Sequence, residues 1–381
     1  MYDLVIAGGR VIDPAQGLDG PYDVAFQGGK VAEVAPRIEP GRAAETVAAD
    51  GALVVPGLID LHTHVYWGAT SLSVRPEPVA RRSGATTLVD AGSAGAGNFH
   101  GFRELLIERS PVRILPYLNI SFAGIFAFSK SVMVGECGDV RLLDARECLE
   151  VAKEHSDLIV GIKVRVGRNT SEHLGVLPLE LAVEVAEELG LPVMAHIDFP
   201  PPRRRDMLDR LRPGDVLTHC FRPFPNAPVV RGEVRAEMLE ARERGILFDL
   251  GHGMGGFGFA ATRPMLEAGF LPDVISSDVH TLSEHGPAFD LLHTMSKLHC
   301  LGMSLSEVIT AATARPAEAL RRPDLGTLAP GAAGDAAVLE LAEGRFEYVD
   351  VVGERIAGER RLEVRHVIVG GALWHSAEPT A

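Results

Sequence analysis

The sequence predicts an α/β protein built as a (β/α)8 barrel, together with a second and smaller β domain. Three observations predict this fold. Eight short apolar runs alternate with helical segments through the middle of the chain, and β-type segments flank that region on both sides. The length of 381 residues also exceeds what one ordinary core fills. An open doubly wound sheet would give a similar alternation of strands and helices.

The first 55 residues have the pattern of β structure. Leu4–Asp13 and Asp23–Val34 each resemble two short strands around a Gly-Gly pair. A phosphate-binding loop would need a helix directly after such glycines, and neither pair has one. We therefore interpret both pairs as turns.

From residue 56 onwards, short apolar runs are separated by amphipathic segments such as Leu179–Leu189. Gly190, directly after that segment, is the residue type typical of a helix C-cap. The predicted barrel strands are Leu58–His62, Thr86–Asp90, Arg113–Asn119, Leu158–Val164, Pro192–His196, Val216–His219, Ile246–Leu250 and Val274–Asp278. Eight strands, each followed by a helical segment, favour a closed barrel.

After the eighth strand, Ala288–Leu301 and Leu305–Ala319 are predicted helices, and the β pattern then returns. Because β segments flank the barrel at both ends, one small domain built from the two termini is the economical interpretation. The predicted domains are residues 1–55 plus 327–381 for the β domain and residues 56–326 for the barrel.

Composition limits the partners and the location of the protein. The formal charge of −14 disfavours binding to nucleic acid or to an anionic membrane. The four cysteines are scattered without a CxxC spacing, which indicates free thiols in a reducing compartment. With no signal-peptide pattern and no run of 18 apolar residues, we expect a cytoplasmic protein.

The most informative stretch is Val54–His64, a buried-strand pattern that ends in two histidines two residues apart. Side chains at i and i+2 of a strand point to the same face, so His62 and His64 can aim at one point. Such a pair suits a metal ion. Taken alone, it would equally describe a strand that happens to end in histidine.

Further residues of metal-site character occupy the ends of other predicted strands. Together with the first pair they are His62, His64, Lys163, His196, His219 and Asp278. A single strand-end histidine is usually structural, and a single aspartate there is often a helix N-cap. In a barrel, however, these strand ends meet over one mouth, so the six residues together indicate a metal site.

Lys163 requires a separate argument, because an ammonium group facing a cationic site is unfavourable. An ion pair with a nearby carboxylate is the simpler explanation for a strand lysine. If the amine instead takes up carbon dioxide, it becomes an anionic carbamate whose two oxygens could bridge two cations.

The sequence resembles members of the amidohydrolase superfamily, close to its dihydroorotase and hydantoinase-like branch. The matching stretches are Pro56–His64, Gly84–Thr87, Ala311–Ala317 and Gly326–Ala337, with Lys163, His196, His219 and Asp278 in strand order between them. The resemblance covers nearly the whole chain. It implies the (β/α)8 TIM barrel and a small β-sandwich domain formed by both termini.

The resemblance also implies a centre of two divalent metal ions, with zinc suited to the imidazole-rich ligands. His62, His64 and Asp278 would hold the more buried ion, and His196 and His219 the other. Lys163, carboxylated on its amine, and a hydroxide would bridge them. Such a centre supplies hydroxide at neutral pH, and Asp278 would act catalytically by moving its proton to the leaving group.

The substrate class follows from two further comparisons within that branch. Dihydroorotases that resemble this chain have an arginine two residues after the histidine pair, whereas this chain has Tyr66 there. Asp90–Phe99 and Phe248–Gly253 resemble a subgroup labelled amidohydrolase or deacetylase. We therefore predict deacetylation of an N-acyl or O-acyl small carboxylic acid. The resemblance also implies a homo-oligomer.

Four residues are candidates for contacting that substrate: Arg165, His280, His252 and Asn98. Arg165 shares a strand face with Lys163, but an ion pair at the barrel rim would explain it equally well. His280 and His252 lie near predicted strand ends and could bond the substrate or orient a ligand. Asn98 lies in a glycine-rich loop, where asparagine usually serves turn chemistry.

Two other functions fit the same fold. A cyclic amidase of the dihydroorotase or hydantoinase type would use the same metal centre on a different substrate. A non-catalytic assembly protein of this branch would be expected to lack metal ligands, and none of the six positions is missing here.

Overall fold

The chain forms two main sheets, which the computed structural model describes over residues 1–39 and 41–377. The strands are β1 (Tyr2–Asp13), β2 (Leu18–Gln27), β3 (Lys30–Ala35), β4 (Ala43–Ala48), β5 (Leu53–Pro56), β6 (Leu58–Thr63), β7 (Ala85–Gly95), β8 (Arg113–Asn119), β9 (Gly161–Val166), β10 (Val193–Ile197), β11 (Val216–Leu217), β12 (Val229–Val230), β13 (Glu233–Val234), β14 (Leu247–Phe248), β15 (Ala336–Val349), β16 (Arg355–Val369) and β17 (Ala372–Ser376).

The helices lie mostly between the strands of the middle region. They are α1 (Pro76–Ser83), α2 (Phe99–Leu105), α3 (Ala145–Glu154), α4 (Leu177–Leu189), α5 (Arg204–Leu208), α6 (Ala236–Glu243), α7 (Phe259–Glu267), α8 (Leu291–Cys300), α9 (Leu305–Thr310) and α10 (Ala314–Ala319). No helix in the described ranges is both long and apolar enough to cross a membrane.

The two ends of the chain build one sheet, in the order β17-β16-β15-β5-β1-β2-β3, with β4 pairing to β1. The antiparallel pairing of β5 with β15, which sets Val54 opposite Val338, joins the N-terminal strands to the C-terminal ones. Alternate residues such as Ile6, Phe26 and Ile368 are buried between this sheet and its surroundings. The predicted β domain from both termini is confirmed.

The second sheet is parallel, in the order β6-β7-β8-β9-β10-β11-β14. Strands such as β6 and β9 are buried along their whole length, as expected for strands covered on both faces. Helix α4 shows the packing: Leu179, Ala182 and Ala186 form its buried face, and Gly190 ends it in the left-handed conformation with φ +66°.

The predicted eighth strand, Val274–Asp278, closes this sheet without forming a regular strand. Its Val274 N donates to Phe248 O at 3.2 Å on one side, and its Asp278 N donates to His62 O at 2.7 Å on the other. Asp278 has φ +46°, a left-handed backbone conformation that interrupts regular strand geometry. The segment therefore lies between β14 and β6, and the predicted barrel is confirmed.

The barrel and the terminal sheet meet at Gly57, the single residue between β5 and β6. Its N–H donates to Asp335 O at 2.9 Å, and a side chain there would lie 2.3 Å from the Thr86 hydroxyl oxygen. The predicted domain boundaries at 55/56 and 326/327 stay a prediction, and residues 378–381 of the second segment lie outside the described residues.

Candidate metal centre

The six predicted ligand residues line one small inner cavity at the carboxyl ends of the barrel strands. His62 lies in β6, Lys163 in β9 and His196 in β10. His219 follows β11 by two residues, and Asp278 ends the eighth segment. Both His219 and Asp278 have positive φ angles, +62° and +46°, so the backbone leaves the strand direction where these side chains are presented.

His62, His64 and Asp278 form the tightest group in this inner cavity. The Nε2 atoms of His62 and His64 lie 3.4 Å and 3.3 Å from Asp278 Oδ1. One ligand atom from each residue lies within 4.8 Å of the others, and all three side chains are buried. Two imidazoles and one carboxylate at this spacing suit a divalent cation.

The proton position on His62 is set by residues behind it. The hydroxyl of Thr218 donates to Asp249 Oδ2 at 2.6 Å, so its oxygen is left to accept from His62 Nδ1 at 2.9 Å. Asp249 Oδ2 also lies 3.3 Å from the same nitrogen. With the proton on Nδ1, the Nε2 lone pair of His62 faces the inner cavity.

His219 is oriented in the same way by the backbone. A carbonyl oxygen can only accept, so His219 Nδ1 donates to Gly251 O at 2.7 Å, and Nε2 carries the lone pair. That Nε2 lies 2.7 Å from His196 Nδ1. His196 Nε2 is buried and has no hydrogen-bond partner among the described residues. An unpartnered buried nitrogen is costly, which suits a position meant for a ligand.

Lys163 is fully buried, and its Nζ lies 3.4 Å from His62 Nε2. Gly92 of β7 makes room for it: a side chain at Gly92 would lie 2.6 Å from both Cβ and Cγ of Lys163. Gly92 also has φ +80°, which disfavours other residues. The strand next to the lysine is therefore shaped around its aliphatic stem.

Burial dominates the electrostatics of the inner cavity. It lowers the pKa of His64 to about 3 and holds the pKa values of His62, His196 and His219 well below their ordinary range. It also lowers the pKa of Lys163 to about 8 and raises that of Asp278 to about 6. The imidazoles are thus neutral, which is the form that binds a metal.

The residues present fit a metal centre. Neutral imidazoles supply lone pairs, two of them are held in the required tautomer, and one nitrogen of His196 is buried without a partner. The six side chains converge on the inner cavity as the sequence predicts. Their roles as ligands stay a prediction.

Two of the four predicted substrate residues line the cavity. His280 accepts from Leu282 N through Nδ1 at 3.2 Å, so its Nε2 carries a proton. Arg165 lies in the cavity wall with its guanidinium 3.2 Å from the buried carboxylate of Glu136 and 5.2 Å from the centre of the Phe128 ring. Arg165 is thus both an ion-pair partner and a wall residue.

The other two predicted substrate residues, His252 and Asn98, line neither the inner nor the outer cavity, although His252 was expected to face the mouth. His252 is fully buried, and its ring nitrogens contact Gly253 O at 3.0 Å and Lys297 Nζ at 2.7 Å. Asn98 accepts from Gly95 N and donates to Ala123 O, both at 3.0 Å. His252 is thus engaged with Lys297 and the backbone, and Asn98 with the backbone on either side of it, and their roles towards a substrate stay a prediction.

A wider outer cavity of about 250 Å³ opens next to the inner one and shares His196, His219, Asp278 and His280 with it. Its wall includes two residues that were not predicted from the sequence, Arg222 and Asp198. Both lie just beyond strand ends, in segments without a regular period. Burial lowers the pKa of Arg222 to about 10, so its guanidinium stays charged at neutral pH.

The loop between β8 and α3 contributes Phe128, Met133 and Val134 to the outer cavity. Phe128 also contacts the edge of the His280 ring, with centroids 5.5 Å apart. The outer cavity is therefore lined by both apolar and charged groups.

Comparison with known proteins places this geometry in a family. A model of the amidohydrolase family matches residues 253–373. A deacetylase of Agrobacterium fabrum is 36% identical over 343 residues, covering 90% of this chain and 84% of the relative. A deacetylase of Enterococcus faecalis is 31% identical over 378 residues, covering 98% of this chain and 99% of the relative.

Solved structures agree with this assignment. A crystal structure of a dihydroorotase has a TM-score of 0.90 at 33% identity and covers 99% of this chain and 98% of its own. A crystal structure of an adenine deaminase has a TM-score of 0.91 at 30% identity and covers 98% and 100%. The resemblance seen in the sequence is confirmed, and this chain belongs to the amidohydrolase family.

Proposed function

We propose that this chain is a metal-dependent deacetylase that hydrolyses the amide or ester bond of an N-acyl or O-acyl small carboxylic acid. The observation that carries the proposal is the convergence of six ligand-type side chains on one buried cavity, with their imidazoles neutral. Similarity to deacetylases over most of the chain supports the choice of acyl transfer to water. The outer cavity of about 250 Å³ suits a small molecule.

The proposed ligands are His62, His64 and Asp278 for one divalent ion, and His196 and His219 for a second. Zinc suits a set rich in imidazole nitrogen. When bound, the ions would acidify water and polarise the scissile carbonyl. His280, whose Nε2 carries a proton, is placed to donate a hydrogen bond to the substrate.

Asp278 is the proposed proton carrier. Its carboxylate borders both the inner and the outer cavity, so it can take a proton from the attacking water and deliver it to the departing nitrogen or oxygen. The reaction consumes one water, breaks the acyl bond and releases a carboxylic acid together with an amine or an alcohol.

Lys163 is proposed to carry an N6-carboxyl group. A neutral amine attacks carbon dioxide, an N–C bond forms, and one amine proton passes to solvent. The lowered pKa of Lys163, which follows from its burial, supports this reaction because it raises the share of free amine at neutral pH. The resulting anion would balance two cations in the same cavity.

A substrate panel separates this function from a cyclic amidase. Zinc-loaded protein is offered both enantiomers of N-acetylalanine and O-acetyllactate, and in parallel dihydroorotate, hydantoin and adenine. We expect turnover of at least one acetylated acid and none of the three ring substrates. Faster turnover of dihydroorotate or hydantoin would establish the cyclic amidase instead, and no turnover of any compound by fully loaded protein would contradict the proposal.

A further inference from the structure

Arg222 is a buried guanidinium in the wall of the outer cavity. Its exposed fraction is 4%. Among the described residues, no carboxylate oxygen lies within 4.0 Å of its guanidinium nitrogens, the limit for an ion pair. Its Nε also has no hydrogen-bond acceptor among these residues. Within the described part of the chain, its one side-chain hydrogen bond goes from Nη1 to the carbonyl oxygen of Ile197.

The other charges in the outer cavity are accounted for. Arg165 pairs with Glu136 at 3.2 Å. The carboxylate of Asp198 lies in the same wall and accepts from Asn169 N at 3.4 Å and 3.2 Å through its two oxygens. Arg222 is therefore the cation of this cavity whose charge lacks a direct partner among the described residues.

The surroundings hold the Arg222 side chain in place. The rings of Phe199 and Phe224 flank its guanidinium, with centroids 5.5 Å and 5.9 Å from Cζ. Aromatic faces attract a cation, but they leave its N–H donors without acceptors. The Asp198 carboxylate in the same wall attracts Arg222 without lying within ion-pair distance, so the buried guanidinium keeps donors that a ligand carboxylate could satisfy.

The wall position also fits the chemistry. Arg222, His196 and His219 line the same outer cavity. A substrate whose acyl carbonyl lies against these histidines would therefore extend into the part of the cavity that Arg222 borders. A guanidinium with free N–H groups matches the geometry of a carboxylate.

We propose that Arg222 binds the carboxylate of the substrate and so selects acylated acids over neutral analogues. This inference rests on the proposed deacetylase function and specifies which residue recognises the acid. Arg165, which is already neutralised by Glu136, would contribute less to this recognition.

The alternative is a purely structural Arg222 that fixes the segment after β10 through Ile197 O. Loss of a structural arginine would lower activity towards every substrate alike. Loss of a carboxylate anchor would lower activity towards acids only. The ratio of kcat/KM for an acid to that for its neutral analogue therefore distinguishes the two roles.

The test compares N-acetylalanine with N-acetylalaninamide, each as the faster enantiomer, by acetate release. Three zinc-loaded proteins are used: the parent, Arg222→Met and the control Arg204→Met. Arg204 is equally buried, at 4% exposure, and also donates to a backbone carbonyl, that of Ala227, but it lies outside both cavities. The control thus reports the cost of removing any buried guanidinium.

We expect the parent to prefer the acid. In Arg222→Met this preference should fall by about 10- to 100-fold, mostly through KM, as for loss of a hydrogen bond to a charged group. Arg204→Met should keep the parental ratio. An unchanged ratio in Arg222→Met, or a parent that does not prefer the acid, would overturn the inference while leaving the deacetylase function intact.

If the parent hydrolyses neither compound nor any acetylated acid of the panel, the proposed function fails. The role of Arg222 is then decided by calorimetric titration of the zinc-loaded proteins with N-acetylalanine and its amide. Tighter binding of the acid that disappears in Arg222→Met would support the anchor, and equal binding of both compounds by the parent would overturn it.

Discussion

At the scale of single residues, the candidate centre depends on groups that would never touch a metal. The Thr218 hydroxyl donates a hydrogen bond to Asp249 and accepts one from His62, while Gly251 O accepts a hydrogen bond from His219. These contacts fix which nitrogen of each ring carries the lone pair. Residues that fix the tautomer of a ligand commonly matter to metal affinity almost as much as the ligand.

Replacing Thr218 with valine tests this dependence. The substitution removes the acceptor of His62 Nδ1 without changing the shape of the side chain. We expect zinc affinity to fall by about 10-fold, the lower end for such groups, because Asp249 Oδ2 lies 3.3 Å from the same nitrogen and can accept instead. Competition with a chelator measures the affinity.

Thr262→Val is the matched control, since Thr262 is also buried and donates its hydroxyl to a backbone carbonyl, Gly258 O. Its zinc affinity should equal that of the parent. Equal affinities in both variants would mean that the proton on His62 does not depend on Thr218.

The sequence was most informative for residues whose position follows from strand period. His62 and His64 share a strand face, and the strand-end rule brought the other four candidates to the same cavity. The rule does not say where a side chain turns once regular strand geometry has ended. His252 turns towards Lys297 for that reason, and Arg222, which follows no period, was not predicted.

At the scale of elements, the sixth and seventh predicted barrel strands, Val216–His219 and Ile246–Leu250, were longer than the regular strands β11 and β14. Val216–His219 was predicted as a strand, but β11 ends at Leu217, and His219 has φ +62°. The apolar pattern records burial, and residues 216–219 are all buried. It does not record the change of backbone direction that presents His219 to the cavity.

Helix α8 connects the barrel to the terminal sheet through a buried lysine. Lys297 Nζ donates to Val349 O of β15 at 2.7 Å, to Pro287 O at 2.6 Å and to His252 Nε2 at 2.7 Å. Burial lowers the pKa of Lys297 to about 7 despite these three acceptors. The sequence offered no sign of this contact, because its partners are distant along the chain.

The lowered pKa makes a pH-dependent contribution to stability. An unfolded lysine keeps its proton up to about pH 10, so between pH 7 and pH 10 the unfolded state binds more protons at this site. The contribution of Lys297 therefore rises with pH, by at most about 1.4 kcal/mol per pH unit, and is flat below pH 7.

Denaturant unfolding of the parent and of Lys297→Met, at pH 7 and pH 9, measures this contribution. We expect the parent to gain stability over the variant as the pH rises. Lys153→Met serves as the control because Lys153 is exposed and pairs with Glu188 at the surface. If the free energy of unfolding of the parent falls relative to that of Lys297→Met between pH 7 and pH 9, the assigned direction of the pKa shift is wrong.

At the scale of the whole molecule, charge and fold act in opposite directions on an acidic substrate. The formal charge of −14 repels anions at long range. Arg165 and Arg222, both in the cavity wall, supply positive charge only within the site. An acid would therefore be recognised by local contacts after encounter, with little long-range steering.

The overall architecture was predictable because its signals are repeated along the chain. Alternating strands and helices predicted the barrel, and β patterns at both ends predicted the terminal sheet, which the pairing of β5 with β15 completes. The substrate was less predictable, since proteins of this family with similar structures bear names as different as dihydroorotase and adenine deaminase. A shared fold fixes the site, and the residues around it fix the chemistry.

We propose that the cavity holds two metal ions and that a modified Lys163 joins them. The most direct test is the metal content per chain of protein grown with zinc and bicarbonate, compared with Lys163→Ala and with the surface control Lys153→Ala. We expect about two ions per chain in the parent and in the control, and a clearly lower metal content in Lys163→Ala. One ion or none in the parent, with the same content in Lys163→Ala, would contradict it.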